Sequence, residues 1–206
     1  MKTATTAFKR KHSSCNARRL ETLLREKFRL SLFSYEEVPN GKDVFDLNFN
    51  EIPGLSQTQM EEWFHQAVAP DSSRLREGAI AKLEPKFVSC DFQAGEAVME
   101  YEALEWELNP QSMVHGGIII TGFDTSLGML CHYYAYPNVL TTVSLSSTFV
   151  RPIRIGDTMV FHSKIKSFGR SLVTLEGKVY LKSTGELAAT ATATFKILHH
   201  KVKTEI

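Results

Sequence analysis

The fold of this 206-residue chain is decided by one stretch, which reads NPQSMVHGGIIITGFDTSLG from Asn109 to Gly128. A polar loop leads into two glycines and then into an almost wholly apolar segment. A helix that is apolar on all sides is normally buried. One carboxylate, Asp124, lies inside this segment, and an unpaired ionised carboxylate is costly to bury. We therefore expect Asp124 to be paired, protonated or used in chemistry.

Alternation with a period of two predicts six strands around this helix, two before it and four after it. Tight connections between the last four strands predict an antiparallel meander. The apolar helix, from about Gly116 to His132, is the available cover for one face of that sheet. The sequence therefore predicts an α+β architecture, an antiparallel sheet wrapped around a long central helix, with an N-terminal helical extension. The predicted strands are 87–92, 97–106, 141–150, 159–165, 173–181 and 187–197.

Two details of this prediction concern single residues. In the third strand, alternation places Val143 and Leu145 on one face and Thr142 on the opposite, polar face. In the helix, Gly122 and Gly128 suit close approach of the helix backbone to the strands, at a cost in helix propensity of about 1 kcal/mol each.

The N-terminal part of the chain has a different organisation. We divide the sequence into a helical extension (residues 1–80), a sheet-and-helix domain (81–200) and a tail (201–206). A first amphipathic helix is predicted from Ala17 to about Leu30. A second is predicted to begin at Ser56, where Ser followed three residues later by Gln fits a capping box.

Bulk composition narrows the possible partners and compartments. The net charge is +1, so the chain has no general attraction to nucleic acid or anionic membranes. No apolar run approaches the roughly 20 residues of a membrane span. The cysteines, Cys15, Cys90 and Cys131, form neither a disulfide framework nor a metal-site spacing, which indicates a reducing compartment. The acid-free, basic residues 1–20 suit a solvated arm or an organellar transit peptide. We predict a cytoplasmic protein, with a mitochondrial location as the alternative.

The residues in this order resemble a known family. Asn109, the His115-Gly116-Gly117 triplet and Asp124 are similar to the pattern of phenylacetate-type (PaaI-like) acyl-CoA thioesterases, which have the hotdog fold. The resemblance covers roughly residues 85–198. Further matching segments are Phe149-Val-Arg-Pro152, Gly156-Asp157, Phe168-Gly-Arg170 and Gly185-Glu-Leu-Ala188.

The resemblance implies a reaction and a set of roles. A thioester of coenzyme A would be hydrolysed to a free acid and coenzyme A, without a metal or redox cofactor. The resemblance assigns the general base or nucleophile to Asp124, the amide that polarises the carbonyl to Gly116, and the positioning of water to Thr142. It also implies a homodimer, or a dimer of dimers, with the site assembled across subunits.

Each candidate also has an interpretation from its own chemistry. Gly116 and Gly117 lie where a helix start exposes unpaired N–H groups, which suits an oxyanion. His115 is a second acid or base, or orders the loop through hydrogen bonds. Asn109 holds water or the carbonyl, or is an ordinary turn residue before proline. The adjacent pair Cys131-His132 points in different directions on a helix, which argues against a nucleophile-and-base pair.

Basic residues after the helix are candidates for binding the phosphates of coenzyme A, with solvated strand-edge charge as the alternative. Arg151 and Arg170 are the main candidates, accompanied by Arg154, Lys164 and Lys166. Two other functions stay open: a hotdog enoyl-CoA hydratase or dehydratase, and a non-catalytic acyl-CoA-binding module. Nothing in the sequence identifies the acyl group.

Overall fold

The structure is a computed structural model that describes residues 56–70, 72 and 78–198. Two helices and two strands precede the long helix, and four strands follow it. The elements in chain order are α1 (Gln57–Ala67), α2 (Ala79–Leu83), β1 (Lys86–Asp91), β2 (Glu96–Glu102), a 3₁₀ turn (Glu105–Glu107), α3 (Gly116–Ala135), β3 (Val139–Phe149), β4 (Thr158–Phe168), β5 (Leu172–Leu181) and β6 (Leu187–Leu198).

The six strands form one antiparallel sheet in the order β1-β2-β4-β5-β6-β3. The predicted four-strand meander is therefore correct only for β4, β5 and β6, because β3 pairs with β6 instead of β4. The connection after β3 begins beside β6, where Val150 and Arg151 both donate to the Ala188 carbonyl. It then passes the start of α3, where Ile153 accepts from Val114, and reaches β2 at Ala103. This crossover is what puts β3 at the sheet edge.

The predicted second strand is also too long. It ends at Glu102, and the N–H of Ala103 donates to Asp157 in the crossover rather than to a neighbouring strand, at 2.9 Å. The following residues turn into the 3₁₀ segment, which places Trp106 outside the sheet. The alternation of Leu104 and Trp106 imitates a strand, but none of the described strands pairs with them.

The long helix α3 packs on one face of the sheet, as predicted. Its 20 residues include eleven buried ones, and the sheet side is filled by aromatic rings such as Phe161 and Phe195. At Gly122 an added Cβ would lie 2.5 Å from Cζ of Phe161, so the predicted close approach is confirmed there. At Gly128 the nearest atom, Cε1 of Phe195, would lie at an ordinary 3.5 Å, so that part of the prediction is wrong.

Helix α1 begins as predicted, with the Ser56 hydroxyl accepting from the N–H of Gln59. Its buried residues, Met60 and Phe64 among them, belong to the same core as the sheet and α3. The predicted helix at 17–30, the basic residues 1–20 and the tail at 201–206 lie outside the described residues. Among the helices that are described, none is long and apolar enough to cross a membrane.

Candidate active site

The carboxylate of Asp124 is held by a strand residue. The hydroxyl of Thr142 in β3 donates to Oδ1 of Asp124 at 2.8 Å. Asp124 is half-buried and Thr142 is exposed, so the pair lies where solvent and a ligand can reach it. From the sequence, only the family resemblance predicted that these two residues share a site. The structure shows them in direct contact.

A β-bulge aims Thr142 at the helix. The register of β3 with β6 shifts between Thr142 and Ser144, so Val143 is the extra residue and is 57% exposed. Thr142 therefore lies opposite Phe195, on the same face as Leu145. The prediction of a separate polar face for Thr142 is wrong, because a bulge inverts the alternation on one side of it. Bulges of this kind commonly redirect a side chain at a functional site.

The start of α3 leaves one amide available. His115 is the N-cap, and its Nδ1 accepts from the N–H of Gly117 at 2.9 Å. The N–H groups of Ile118 and Ile119 both donate to the His115 carbonyl. The Gly116 N–H has no hydrogen-bond acceptor within residues 56–70, 72 and 78–198. Of the two predicted glycines, Gly116 is therefore the one whose N–H is available to a ligand, and Nδ1 of His115 is engaged at the helix start.

The ring of Phe149 covers Gly116. An added Cβ at Gly116 would lie 3.1 Å from Cζ of Phe149, tighter than most real contacts. Phe149 itself is half exposed at the end of β3. The sequence drew attention to Phe149 only as part of the segment before Arg151-Pro152 and gave it no role. The structure makes it one wall of the space above the helix N-terminus.

Asn109 organises the loop before the helix. Its Oδ1 accepts from the N–H groups of Gln111 (2.9 Å) and Met113 (3.2 Å), and its own N–H donates to the Met113 carbonyl. Its side-chain oxygen is thus used within the turn, which leaves its amide NH₂ as the group that could meet a ligand. Within the described part of the chain, no hydrogen bond joins Asn109 or His115 to Asp124.

A buried acid that the sequence did not single out lies beside this loop. Glu107 is 1% exposed, its Oε2 accepts from the N–H of Leu104, and its Oε1 has no partner. Burial raises the pKa of the Glu107 carboxyl, with the Leu104 hydrogen bond opposing that change. The Glu107 carbonyl accepts from the N–H of His115 at 2.8 Å. Glu107 therefore ties the 3₁₀ turn to the start of α3.

The helix separates two of the predicted site residues, Gly116 and Asp124, along its axis. Gly116 and Asp124 are eight residues apart, which corresponds to about 12 Å along a helix axis. A carbonyl carbon under attack must lie about 3 Å from both the reacting group and the oxyanion donor. One chain therefore cannot present Gly116 and Asp124 to the same thioester.

The two predicted phosphate-binding arginines lie at opposite ends of the sheet. Arg151 is beside Ala188, at the start of β6, whereas Ser171, next to Arg170, is bonded to Ile197 near its end. The nine residue-to-residue steps from Ala188 to Ile197 correspond to about 30 Å along a strand. Arg151 also pairs with Glu186 at 3.2 Å and donates to the Leu187 carbonyl at 2.9 Å.

Cys131 is unsuited to nucleophilic chemistry. It is fully buried in the core, and burial raises the pKa of its thiol to about 12. A thiol in that state does not form the reactive thiolate near neutral pH.

Comparisons with known proteins find a matching family, a curated relative and solved structures with a similar fold. Residues 111–188 match the family model described as the Thioesterase superfamily. An uncharacterized acyl-CoA thioester hydrolase of Zymomonas mobilis is 24% identical over 94 residues, which are 46% of this chain and 63% of that relative. The Escherichia coli PaaI protein from the phenylacetic acid degradation operon has a TM-score of 0.60 at 17% identity, covering 71% of this chain and 99% of PaaI. A Streptococcus mutans UA159 protein solved bound to acetyl CoA has a TM-score of 0.53 at 21% identity, covering 65% of this chain and 98% of that protein.

These likenesses differ in what they show. The alignment spans 63% of the length of the curated relative, and the two structural likenesses show the fold. The family model spans the helix start, Asp124 and Thr142, which are the parts of the site described above. The resemblance predicted from the sequence is confirmed: residues 111–188 match the thioesterase-superfamily model, and the sheet with α3 packed on it has the hotdog fold of the PaaI structure.

Proposed function

We propose that this protein is an acyl-CoA thioesterase that hydrolyses a thioester to a free acid and coenzyme A. The observation that carries the proposal is the hydrogen bond from Thr142 to Asp124, which fixes a half-exposed carboxylate on an otherwise apolar helix. The segment that holds this pair matches the thioesterase superfamily. The Zymomonas relative, named as an acyl-CoA thioester hydrolase, supports the same reaction.

The chemistry follows from which oxygens and N–H groups are free. Thr142 engages Oδ1 of Asp124, so Oδ2 is the oxygen that takes a proton from water. The resulting hydroxide attacks the thioester carbonyl, and the Gly116 N–H stabilises the oxyanion. Collapse of the tetrahedral intermediate breaks the carbon–sulfur bond, and the coenzyme A thiolate leaves and is protonated. Direct attack by Asp124, followed by hydrolysis of the anhydride, uses the same groups. Neither route requires a metal or redox cofactor.

The separation of about 12 Å between Gly116 and Asp124 requires a second subunit. In an antiparallel two-fold arrangement, the start of one α3 lies beside the middle of the partner's α3. Each of the two sites then combines the Gly116 N–H of one subunit with the Asp124 carboxylate of the other. We therefore include a homodimer in the proposal.

The edge strand supports this assembly. β3 pairs with β6 on one side, and among the described strands none pairs with its other side. Exposed apolar residues, Val143, Phe149 and Val150, lie along or just beyond this edge. A long unpaired edge with apolar side chains is a template for pairing with a second copy. Sedimentation at equilibrium distinguishes the dimer from a dimer of dimers.

The same two-fold symmetry would bring Arg151 of one subunit and Arg170 of the other to the same end of the dimer. Arg151 lies at the Phe149 end of the sheet and Arg170 at the Thr142 end. A two-fold axis that brings Gly116 of one subunit to Asp124 of the other also brings Arg151 of the first toward Arg170 of the second. Guanidinium groups from both subunits would then meet the phosphates of one coenzyme A. The acetyl CoA in the Streptococcus mutans structure supports coenzyme A as the carrier.

Substitution of Asp124 by Asn tests the function. Asn keeps the size of the side chain and an oxygen for the Thr142 hydroxyl, but it takes no proton from water. We expect release of coenzyme A from a panel of acyl-CoAs to fall by about 10²–10⁴-fold, while the melting temperature stays within a few degrees. Full activity in Asp124→Asn would contradict the proposal. Hydration of an enoyl-CoA by the unmodified protein, without thioester hydrolysis, would favour the hydratase instead.

A further inference from the structure

A cavity of about 300 Å³ lies between α2, the 3₁₀ turn and the first two turns of α3. Its volume is at the lower end of the range of small-molecule sites, about 300–1,000 Å³. The residues that border it are Ala79, Leu83, Trp106, Ile118 and Thr121, together with Gly78 and Lys82.

The walls of the cavity select an apolar occupant. Ala79, Leu83, Trp106 and Ile118 present carbon surface, and the Thr121 hydroxyl already donates to the Gly117 carbonyl at 2.9 Å. The charged group at its border, Lys82, is exposed. Walls that are mostly carbon favour hydrocarbon over sugars, phosphates or charged acids.

The cavity is adjacent to the amide proposed to bind the thioester. Gly116 faces Phe149, whereas Ile118 faces the cavity, and residues two apart on a helix differ by about 200° in direction. The Gly116 N–H, directed along the helix axis, lies between these two sides. A thioester carbonyl bound there would direct one substituent toward Phe149 and Arg151 and the other into the cavity.

The Trp106 wall is held in place. The 3₁₀ turn that carries it is capped by the buried Glu107, whose carbonyl accepts from the N–H of His115. The backbone that carries the half-exposed indole is therefore tied to the helix start rather than lying on an independent loop. Rigid walls of this kind set a limit on the length of the group they accept.

We infer that this cavity receives the acyl chain of the substrate, and that the substrates are short-to-medium apolar acyl thioesters. The inference rests on the proposed function for its orientation, with coenzyme A on the Phe149 side and the acyl group on the α2 side. Residues Ala79 and Trp106 then determine chain-length specificity.

The test measures binding of non-hydrolysable thioethers, S-ethyl-CoA and S-octyl-CoA, to the full chain by calorimetry. We expect S-octyl-CoA to bind at least about tenfold more tightly, because burial of even one or two methylene groups changes recognition by such factors. Ala79→Trp fills the cavity from α2 and should bring this ratio close to one. Ile80→Trp is the matched control, since Ile80 neighbours Ala79 on the same helix but does not border the cavity, and it should keep the ratio.

A second variant makes the outcome independent of how well Ala79→Trp folds. Trp106→Ala removes one wall of the cavity, so the affinity for S-dodecyl-CoA should rise relative to the affinity for S-octyl-CoA. The inference is overturned if the unmodified protein shows no chain preference, or if Ala79→Trp and Ile80→Trp change the ratio equally. Turnover is measured separately with the matching thioesters. Chain preference in binding without any hydrolysis would contradict the proposed function alone, whereas hydrolysis without chain preference would contradict the acyl site alone.

Discussion

The two halves of α3 differ in how they are held. In the second half, residues 125–135, most side chains are buried, and Ser126 shares a 2.8 Å hydrogen bond with the hydroxyl of Tyr101. Tyr134 donates to the Phe92 carbonyl at 2.6 Å, and Tyr133 donates to the carbonyl of Ser56. The first half, residues 116–124, is largely half-buried or exposed on its outer side, and its end groups include an amide without an acceptor.

This difference separates stability from chemistry within one element. The second half is held by apolar burial and by hydrogen bonds to Tyr101 of β2, to Phe92 just after β1 and to Ser56, the N-cap of α1. Because that half is fixed, the first half can present an amide and a carboxylate to solvent without losing its helical geometry. The glycines of the first half then serve ligand access and close packing, at a cost in helix propensity.

After Asp124→Asn, the largest expected effect is the loss of the proposed oxyanion donor. Gly116→Pro removes the N–H, and proline is compatible with the first position of a helix. His115 already has φ −63° and ψ 133°, the region that a residue before proline prefers. We expect kcat for thioester hydrolysis to fall by about 10²–10³-fold, the usual effect of deleting an oxyanion-hole donor.

Gly116→Ala is the control for this substitution. It adds the same Cβ beside Phe149, at 3.1 Å, but keeps the N–H. Its kcat should fall much less than that of Gly116→Pro. Equal losses in the two variants would show that crowding at Phe149, and not the missing donor, is responsible.

The next effect concerns stability and compares two glycines of the same helix. Gly122→Ala places a Cβ 2.5 Å from the Phe161 ring, which is packed against Tyr101 and Phe123. We expect a loss of about 1–3 kcal/mol, as for other overpacked cores. Gly128→Ala meets Phe195 at an ordinary 3.5 Å and should gain up to about 1 kcal/mol from helix propensity. Urea denaturation of both variants measures the difference, and equal changes would contradict the described packing.

The smallest effect depends on pH. Burial raises the pKa of Glu107 in the folded protein, so folding favours its protonated form. Relative to Glu107→Gln, the unmodified protein should therefore lose stability as pH rises from the unfolded carboxyl pKa through the higher folded one. Between pH 4 and pH 8, the melting temperature of Glu107→Gln should rise relative to that of the unmodified protein. A constant difference across that range would contradict a buried, titrating carboxyl.

Much of the fold follows from the sequence because its signals are local. The apolar run from Gly116 reflects burial of one helix, the serine cap at Ser56 reflects a hydrogen bond at one helix start, and the alternation in β6 reflects burial of one strand face. The position of β3 does not follow, because it depends on the crossover at Ala188 and Ile153 and not on the strand's own residues.

The candidate site shows the same limit at the level of side chains. The resemblance named Asp124, Gly116 and Thr142, yet the alternation put Thr142 on the wrong face, since nothing in Thr-Thr-Val-Ser distinguishes the bulged residue. The cavity beside Trp106 depends on α2 and the 3₁₀ turn meeting α3, a contact between segments that no local pattern reports.

A site shared between two subunits is the central feature of the proposed mechanism, and mixing two inactive variants tests it directly. Differently tagged Asp124→Asn and Gly116→Pro chains are co-expressed, and the mixed dimer is purified through both tags. One of its two sites then combines an intact Asp124 with an intact Gly116 N–H, so we expect about half the activity of the unmodified dimer. A mixed dimer as inactive as its two parents would contradict the shared site.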